Sequence, residues 1–443
     1  MIRLIKSLYF KRRFYYALAV IAVVFLISYW SASFYGLAWI LIYLMGLLLL
    51  VDLRMLYAKA GLLASRKLPE RLSNGDSNEI AIEINNAYSF PIQLTVIDEL
   101  PIQFQRRDFH LESNLSGKQA IRLNYLLRPV SRGEYSFGQL NCYSSSPIGL
   151  VSRRYKFDKE QGVKVYPSYI QMKQYDFLAM DNKVGMHGLK KIRRIGHTME
   201  FEQIKEYVRG DDVRTVNWKA TAKQNQLMVN QYQDEKMQPI YSVIDTSRTM
   251  KMPFEGLSLL DYAINSCLAF SNVGLKKGDK VGLVEFSSQL GAFLPATAKK
   301  TYLNVIMDAL YRVDTAYTDT DYGLLQTIIK KRINHRSLIF LYTNFEHPSS
   351  LERQLPYLQA IAKRHVMVVI FFENTELQEL SMQEAQSGRE IVEQTIARQF
   401  EHDKRLMVRT LQQRGIQTIL TAPSELTVNT INKYLEIKAR GLI

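Results

Sequence analysis

The sequence predicts a multidomain chain: an N-terminal transmembrane helical hairpin, a small β-sandwich-like domain, and an α/β doubly wound domain. Three observations predict it. No residue between Arg13 and Asp52 is charged, residues 68–160 alternate apolar and polar positions in short runs, and from residue 239 continuous apolar runs alternate with helical segments. At 443 residues the chain exceeds the usual size of one domain, so two or three cores are expected. The expected divisions are a membrane anchor over 1–67, the β-sandwich-like domain over 68–160, a connecting segment over 161–238 and the α/β domain over 239–443.

The uncharged N-terminal run is long enough for two crossings of about 20 residues each. Tyr29, Trp30, Tyr35 and Trp39 gather at its middle, where a turn at the far interface would place an aromatic belt. Arg3, Lys6, Lys11, Arg12 and Arg13 precede the first span, and Arg54, Lys59, Arg66 and Lys67 follow the second. By the positive-inside rule both ends lie in the cytoplasm. The expected location is therefore the inner (cytoplasmic) membrane, multi-pass, with the soluble domains cytoplasmic and membrane lipid as one partner. A net charge of +15 is then partly topological, and nucleic acid is not expected. The cysteines, Cys142 and Cys267, fall in different predicted domains without metal-ligand spacing, as reduced thiols do.

Between residues 68 and 160 the runs "EIAIEINNA", "IQLTVIDEL", "AIRLNYLLRP" and "EYSFGQLNCYS" read as strands separated by turn-forming segments. Arg132, Gly133 and Tyr135, then Pro147, Gly149 and Leu150, read as turn geometry and core filling.

From residue 239, "PIYSVIDTS", "KVGLVEFSS", "SLIFLYTNF", "HVMVVIFFE" and "QTILTA" read as buried strands, with helices expected at 257–275, 299–312, 321–332, 350–364, 388–414 and from 424. That alternation indicates a parallel sheet covered on both faces, with a ligand site at the carboxyl ends of its strands. The first strand ends in "DTSRT": the spacing of Asp245, Ser247 and Thr249 puts a carboxylate and two hydroxyls on one side of a strand-end loop. A hard oxygen site of that kind suits magnesium; equally, the hydroxyls can cap the next helix.

Thr318 before a helix and Asn344 at a later strand end complete a pattern. Residues 239 to about 438 resemble a von Willebrand factor A-like domain, whose metal-ion-dependent adhesion site (MIDAS) is D-x-S-x-S, a threonine and a later aspartate. Asp245, Ser247, Thr249, Thr318 and Asn344 occupy those places. Asn344 for aspartate removes a negative charge, so the resemblance implies a degenerate MIDAS-like site holding Mg2+ weakly, with Asp319 and Asp321 as compensating charges.

Upstream, "EFEQIKEYVRGDDVRTVNWKATAK" contains Glu200, Phe201, Glu206, Tyr207, Gly210, Asp211, Asp212, Arg214, Asn217, Trp218 and Lys219. It resembles the signature of the fifty-eighth domain-of-unknown-function family, found in bacterial and archaeal membrane proteins. Members are commonly encoded beside MoxR-type AAA ATPases. The resemblance thus implies a scaffold or adaptor in complex assembly or remodelling, with a MoxR-type AAA ATPase as partner.

Read from the residues themselves, the cluster is a structural clasp or a partner-binding surface. As a clasp, Gly210 turns the chain, Asp211 and Asp212 accept backbone N–H bonds, Arg214 pairs with one of them, and Trp218 covers the apolar side. Nearby, Lys190, Lys191, Arg193 and Arg194 read as a solvated basic loop or as a patch for anionic lipid or an acidic partner. The chain carries no Walker-type loop, HExxH helix or GxSxG elbow, and its seven histidines are dispersed. The expected function is a non-enzymatic, membrane-anchored protein-binding scaffold. The alternative is a divalent-metal-dependent hydrolase or phosphoryl-transfer enzyme using the Asp245 loop.

Overall fold

A computed structural model describes residues 7–59, 61–158, 160–180, 200–208, 211, 213–233, 239–315, 317–382 and 387–442. The chain divides into two compact units, Met1–Tyr166 and Pro167–Ile443.

The first unit combines apolar helices with several β-sheets. Strand β1 (Leu8–Phe10) precedes α1 (Arg12–Ile27) and α2 (Ala32–Tyr57). Phe25 of α1 meets Tyr35 and Trp39 of α2 edge-on, with ring centroids 6.2 and 6.1 Å apart. Of the two, the stretch Ser33–Tyr57 is long and apolar enough to cross a membrane. Tyr29 and Trp30, between the helices, are 88% and 80% exposed, so that end of the pair has no protein cover.

The strands of this unit are β2 (Leu62–Lys67), β3 (Arg71–Ser73), β4 (Asn78–Asn86), β5 (Ile92–Asp98), β6 (Leu111–Leu115), β7 (Ala120–Leu127), β8 (Gly133–Phe137), β9 (Leu140–Ser145), β10 (Val151–Phe157) and β11 (Gln161–Tyr166). They form a five-stranded sheet in the order β1-β10-β9-β5-β6 and two three-stranded sheets, β3-β11-β8 and β2-β4-β7. Alternate residues such as Ile80, Ile82 and Ile84 of β4 and Leu94 and Val96 of β5 turn into one apolar core. Strands β1, β2 and β11 lie outside the 68–160 span expected for this domain. β1 is only three residues long, while β2 and β11 carry the charged residues Arg66, Lys67 and Lys164, which hid them.

The C-terminal end of α2 is tied to this β-structure by a buried carboxylate. Asp52 accepts hydrogen bonds from Ser146 Oγ at 2.5 Å and from the backbone N–H groups of Leu150 and Val151, both at 3.0 Å. Gly149 takes φ +71°, the left-handed geometry that turns those N–H groups inward. The helix's last carbonyls are covered as well: Tyr88 Oη donates to Leu56 O at 2.7 Å, and Arg153 donates to Leu56 O and Lys59 O at 2.6 and 3.0 Å. A cation at a helix C-terminus also opposes the negative end of its dipole. Elsewhere in the unit Arg66 and Asp98 form a fully buried ion pair, with Tyr125 Oη also donating to Asp98 and Arg66 Nη2 donating to Gly138 O at 2.9 Å.

In the second unit α3 (Tyr169–Met180), the ribbon strand β12 (Glu200–Glu206), α4 (Trp218–Gln224) and its partner strand β13 (Met228–Gln233) precede the main sheet. That sheet is built from β14 (Pro239–Asp245), β15 (Lys280–Phe286), β16 (Leu290–Thr297), β17 (Leu338–Tyr342), β18 (Val366–Phe372) and β19 (Gln417–Thr421), in the order β16-β15-β14-β17-β18-β19. All pairs are parallel except the edge strand β16, which folds back on β15. Sequence reasoning missed β16 because Gly291 and Pro295 interrupt it; an edge strand tolerates a proline that a central strand does not.

The helices are α5 (Leu259–Lys276), α6 (Tyr302–Arg312), α7 (Tyr322–Arg332), α8 (Pro348–Ala362), α9 (Thr375–Met382), α10 (Gly388–Gln413) and α11 (Leu426–Arg440). Alternate strand residues divide the sheet into two faces. Val243, Leu341 and Val369 pack with Leu325 of α7, Leu358 of α8 and Leu411 of α10. On the other face Phe340 meets Phe270 of α5 at 4.9 Å, and Phe270 meets Tyr434 of α11 at 5.4 Å.

Candidate functional site

The site follows from strand order. After β14 the chain moves to one side of it, through β15 and β16, and then returns to the other side as β17. At such a crossing point, adjacent connections diverge and leave a crevice outside the carboxyl ends of the strands. Because β14 and β17 run in parallel register, Ile244 opposite Tyr342, the next residues, Asp245 and Thr343, meet at that crevice.

Asp245 is 1% exposed, and its carboxylate is held by the chain's own donors. Ser247 N donates to Oδ1 at 2.9 Å, Thr320 Oγ1 reaches both oxygens at 3.0 and 3.1 Å, and Thr343 Oγ1 donates to Oδ2 at 2.7 Å. Tyr322 Oη lies 2.8 Å from Thr343 Oγ1 and extends the network into the core. Burial pushes the Asp245 carboxyl up from its ordinary value, and the four donor contacts oppose that shift.

The other residues of the sequence pattern are near but differently engaged. Ser247 Oγ lies 3.0 Å from Thr249 Oγ1. Thr318 Oγ1 bonds with Ser288 Oγ at 3.2 Å, and Thr320, two residues on, is the hydroxyl that reaches Asp245. Asn344 Oδ1 accepts from Lys404 Nζ at 2.5 Å, and its Nδ2 donates to Thr249 O at 3.4 Å. Asp319 pairs with Arg248 at 3.0 Å, and Asp321 caps α7 through Leu324 N at 2.9 Å. A divalent ion here would have to displace Thr320 and Thr343 from the carboxylate and Lys404 from Asn344. This donor set therefore does not fit a bound metal as arranged. Among the described residues, no group of three His, Cys, Asp or Glu could hold one.

Lys404 had no signal in the sequence, being one lysine on the polar helix α10. It also donates to Phe345 O at 2.7 Å, and burial lowers its pKa to about 8. Beside it a cleft of about 300 Å³ opens at the carboxyl ends of β17, β18 and β19. Its walls include Phe254, Leu259, Phe372, Leu377, Phe400 and Leu420, and Glu346, Glu373 and Glu376 also line it.

The signature segment overturns part of the clasp expectation. Its polar residues do build an internal frame. Asp211 accepts from Lys205 Nζ and from Val208 N, both at 2.9 Å; Asn217 caps α4 through Ala220 N at 3.0 Å and donates to Asn230 Oδ1 at 2.8 Å. Backbone bonds from Tyr207 N to Leu227 O and from Asn217 N to Met228 O, each 2.8 Å, close it. Trp218, however, covers nothing: it is 72% exposed, with Val208 and Val213 also exposed and Lys219 beside it. Arg214 lies in the short turn Val213–Thr215, and Glu200, Phe201 and Glu206 lie on β12. Gly210, Asp212, Lys190, Lys191, Arg193 and Arg194 lie outside the described residues.

These features lie in a chain with recorded relatives. Residues 203–406 match the family Protein of unknown function DUF58. An uncharacterized protein of Bacillus subtilis (strain 168), YeaD, is 25% identical over 216 residues, which are 47% of this chain and 54% of that protein. The chain thus spans about half the length of this relative. Among solved structures, proximal thread matrix protein 1 from the mussel byssus aligns with 44% of this chain and 45% of its own at 12% identity and a TM-score of 0.26. The CARDB domain of the PF1109 protein from Pyrococcus furiosus aligns with 24% of this chain and 91% of its own at 14% identity and a TM-score of 0.18. Scores that low carry no argument about fold or function.

Proposed function

We propose that this protein is a membrane-anchored, non-enzymatic protein-binding scaffold whose second unit is a von Willebrand factor A-like domain with a metal-independent adhesion-type site. One observation carries this reading: a cleft of about 300 Å³ opens at the carboxyl ends of β17, β18 and β19, while the Asp245 carboxylate at the neighbouring crossing point is already engaged by Ser247, Thr320 and Thr343. A general base or metal-held nucleophile needs a free lone pair aimed at substrate. Asp245 is 1% exposed and both its oxygens accept from the chain's own donors, and Lys404 is held by two carbonyl oxygens. What remains is a shaped surface, which suits recognition.

On the same reading α1 and α2 form a transmembrane hairpin in the inner membrane, multi-pass, with both units cytoplasmic. The apolar stretch Ser33–Tyr57 and the exposed aromatics Tyr29 and Trp30 support that placement. The partner is then cytoplasmic, and the family resemblance points to a MoxR-type AAA ATPase.

The test is purification of the tagged chain from its own membranes with the neighbouring ATPase followed by mass spectrometry. Retention of the ATPase, lost when Leu377→Glu alters the cleft and kept when Asp245→Asn alters the carboxylate or Trp218→Ala removes the exposed indole, is the expected result. Magnesium-dependent hydrolysis of p-nitrophenyl phosphate by the purified chain, abolished by Asp245→Asn, would overturn the scaffold reading in favour of an enzyme. A reporter active only outside the cytoplasm, fused after Ile443, is expected to stay silent.

A further inference from the structure

Building on the reading of that cleft as a protein-binding surface, we infer that in the absence of another partner the chain self-associates head to tail, the Trp218 surface of one copy docking into the acid-rimmed cleft of the next. Two surfaces of the second unit are complementary in both shape and charge. The first is a knob. Trp218 is 72% exposed on a helix whose own frame is hydrogen-bonded through Asn217 and Asp211, so the fold does not use its indole. Lys219 and Lys223 form an adjacent exposed i,i+4 stripe, and neither is in an ion pair among the described residues. Asp211, the carboxylate nearest in sequence among the described residues, is already taken by Lys205. Exposed tryptophan beside unpaired cations is a surface that gains by burial against an apolar wall with carboxylates around it.

The second surface is such a wall. The cleft at the carboxyl ends of β17 and β18 is lined by Leu259, Phe372, Leu377 and Phe400; of its charged residues, Lys404 is held by Asn344 and Arg405 pairs with Glu401, while among the described residues Glu373 and Glu376 make no ion pair, so its rim is left net acidic. Its volume of about 300 Å³ lies at the small end of ligand pockets, about 300–1,000 Å³, which suits one large side chain better than a cofactor. The local charge matters because the chain as a whole carries +15, so copies repel each other unless negative groups meet positive ones at the contact. Within one copy the indole is exposed, so the cleft is not filled by its own Trp218. A contact between two different patches is heterologous and propagates into rings or filaments, unlike a two-fold dimer.

The test uses the full chain in detergent micelles, its mass followed by light scattering and sedimentation as concentration rises. The parent is expected to grow beyond one copy. Trp218→Ala and Leu377→Glu are each expected to weaken association by about 30-fold or more, the loss typical of a central aromatic anchor. Mixing those two variants is the decisive arm: one intact knob then meets one intact cleft, so dimers and nothing larger should form. Lys219→Glu with Lys223→Glu should weaken association, and Glu373→Lys with Glu376→Lys should restore it. A photo-cross-linker at position 218 should capture residues 372–378 or 400–405 of a second copy. A parent that stays monomeric at every concentration, oligomers that survive both single variants, or cross-links only to lipid or to another protein would each overturn the inference.

Discussion

Asp98 in the first unit and Asp245 in the second are both buried at strand ends, yet they are neutralised in different ways. Asp98 has a guanidinium, Arg66, and a phenol, Tyr125. Asp245 has a backbone N–H and two threonine hydroxyls, and no cation. An ion pair fixes charge in place, because removing either partner strands the other in an apolar core. Hydroxyl donors can rotate and re-form, so altering a carboxylate held by two hydroxyls and one backbone N–H strands no opposite charge. The first arrangement is a strut and the second is a site, even though the buried residue is the same.

The largest effect that would break this comparison is expected at the strut. Asp98→Ala should destabilise the first unit by about 3–5 kcal/mol in a denaturant titration, and replacing Arg66 and Asp98 together by apolar residues should recover most of it. Equal costs for the single and double variants would mean that the pair does no more than fill space. Asp245→Asn should cost less, about 1–3 kcal/mol, since it leaves hydroxyls and not a cation without their acceptor.

A pH series separates the regions further. Lys404 has its pKa lowered to about 8 from 10.5, so the unfolded chain binds more protons between those values and stability must rise with pH across that window. The expected rise is about 1–2 kcal/mol between pH 8 and pH 10, absent in Lys404→Met. A flat profile in the parent would show that Asn344 and Phe345 compensate the buried ammonium fully.

Asn344→Asp gives Lys404 a carboxylate partner, so it should flatten that rise and stabilise the fold by about 1 kcal/mol. Neither the parent nor this variant should shift its melting temperature with magnesium, because Lys404 already engages the side-chain oxygen at position 344. A magnesium shift abolished by Asp245→Ala would restore the metal reading. Smallest of all, Trp218→Ala should change stability by less than about 0.5 kcal/mol, the usual range for an exposed substitution. A loss of several kcal/mol would return Trp218 to the clasp.

What could be read from the sequence divides along the same line. The parallel strands of the second unit were legible because each is a continuous apolar run, and Asp245 was legible because strand ends next to a crossing point carry ligand sites. Thr320, Thr343 and Lys404 were not. A threonine two residues from the expected one differs only in which way a loop turns, and Lys404 lies sixty residues from its acceptor Asn344. Trp218 misled for a related reason: hydrophobicity predicts burial on average, but a residue's exposure depends on the frame beneath it, and here polar side chains build that frame. In the first unit Arg66 concealed β2, because a charge inside a strand reads as a break until its buried partner is known.

Asp52 has one more consequence. Its carboxylate pins the C-terminal end of the long apolar helix to the loop 146–151, while Arg153 and Tyr88 hold the carbonyls one turn further on. A helix gripped at two successive turns can neither spin about its axis nor slide along it without carrying the β-sheets with it. The two behave mechanically as a shaft and a keyed hub: any tilt that the surroundings impose on the shaft becomes a swing of the sheets, with the lever arm set by the length of the β-structure.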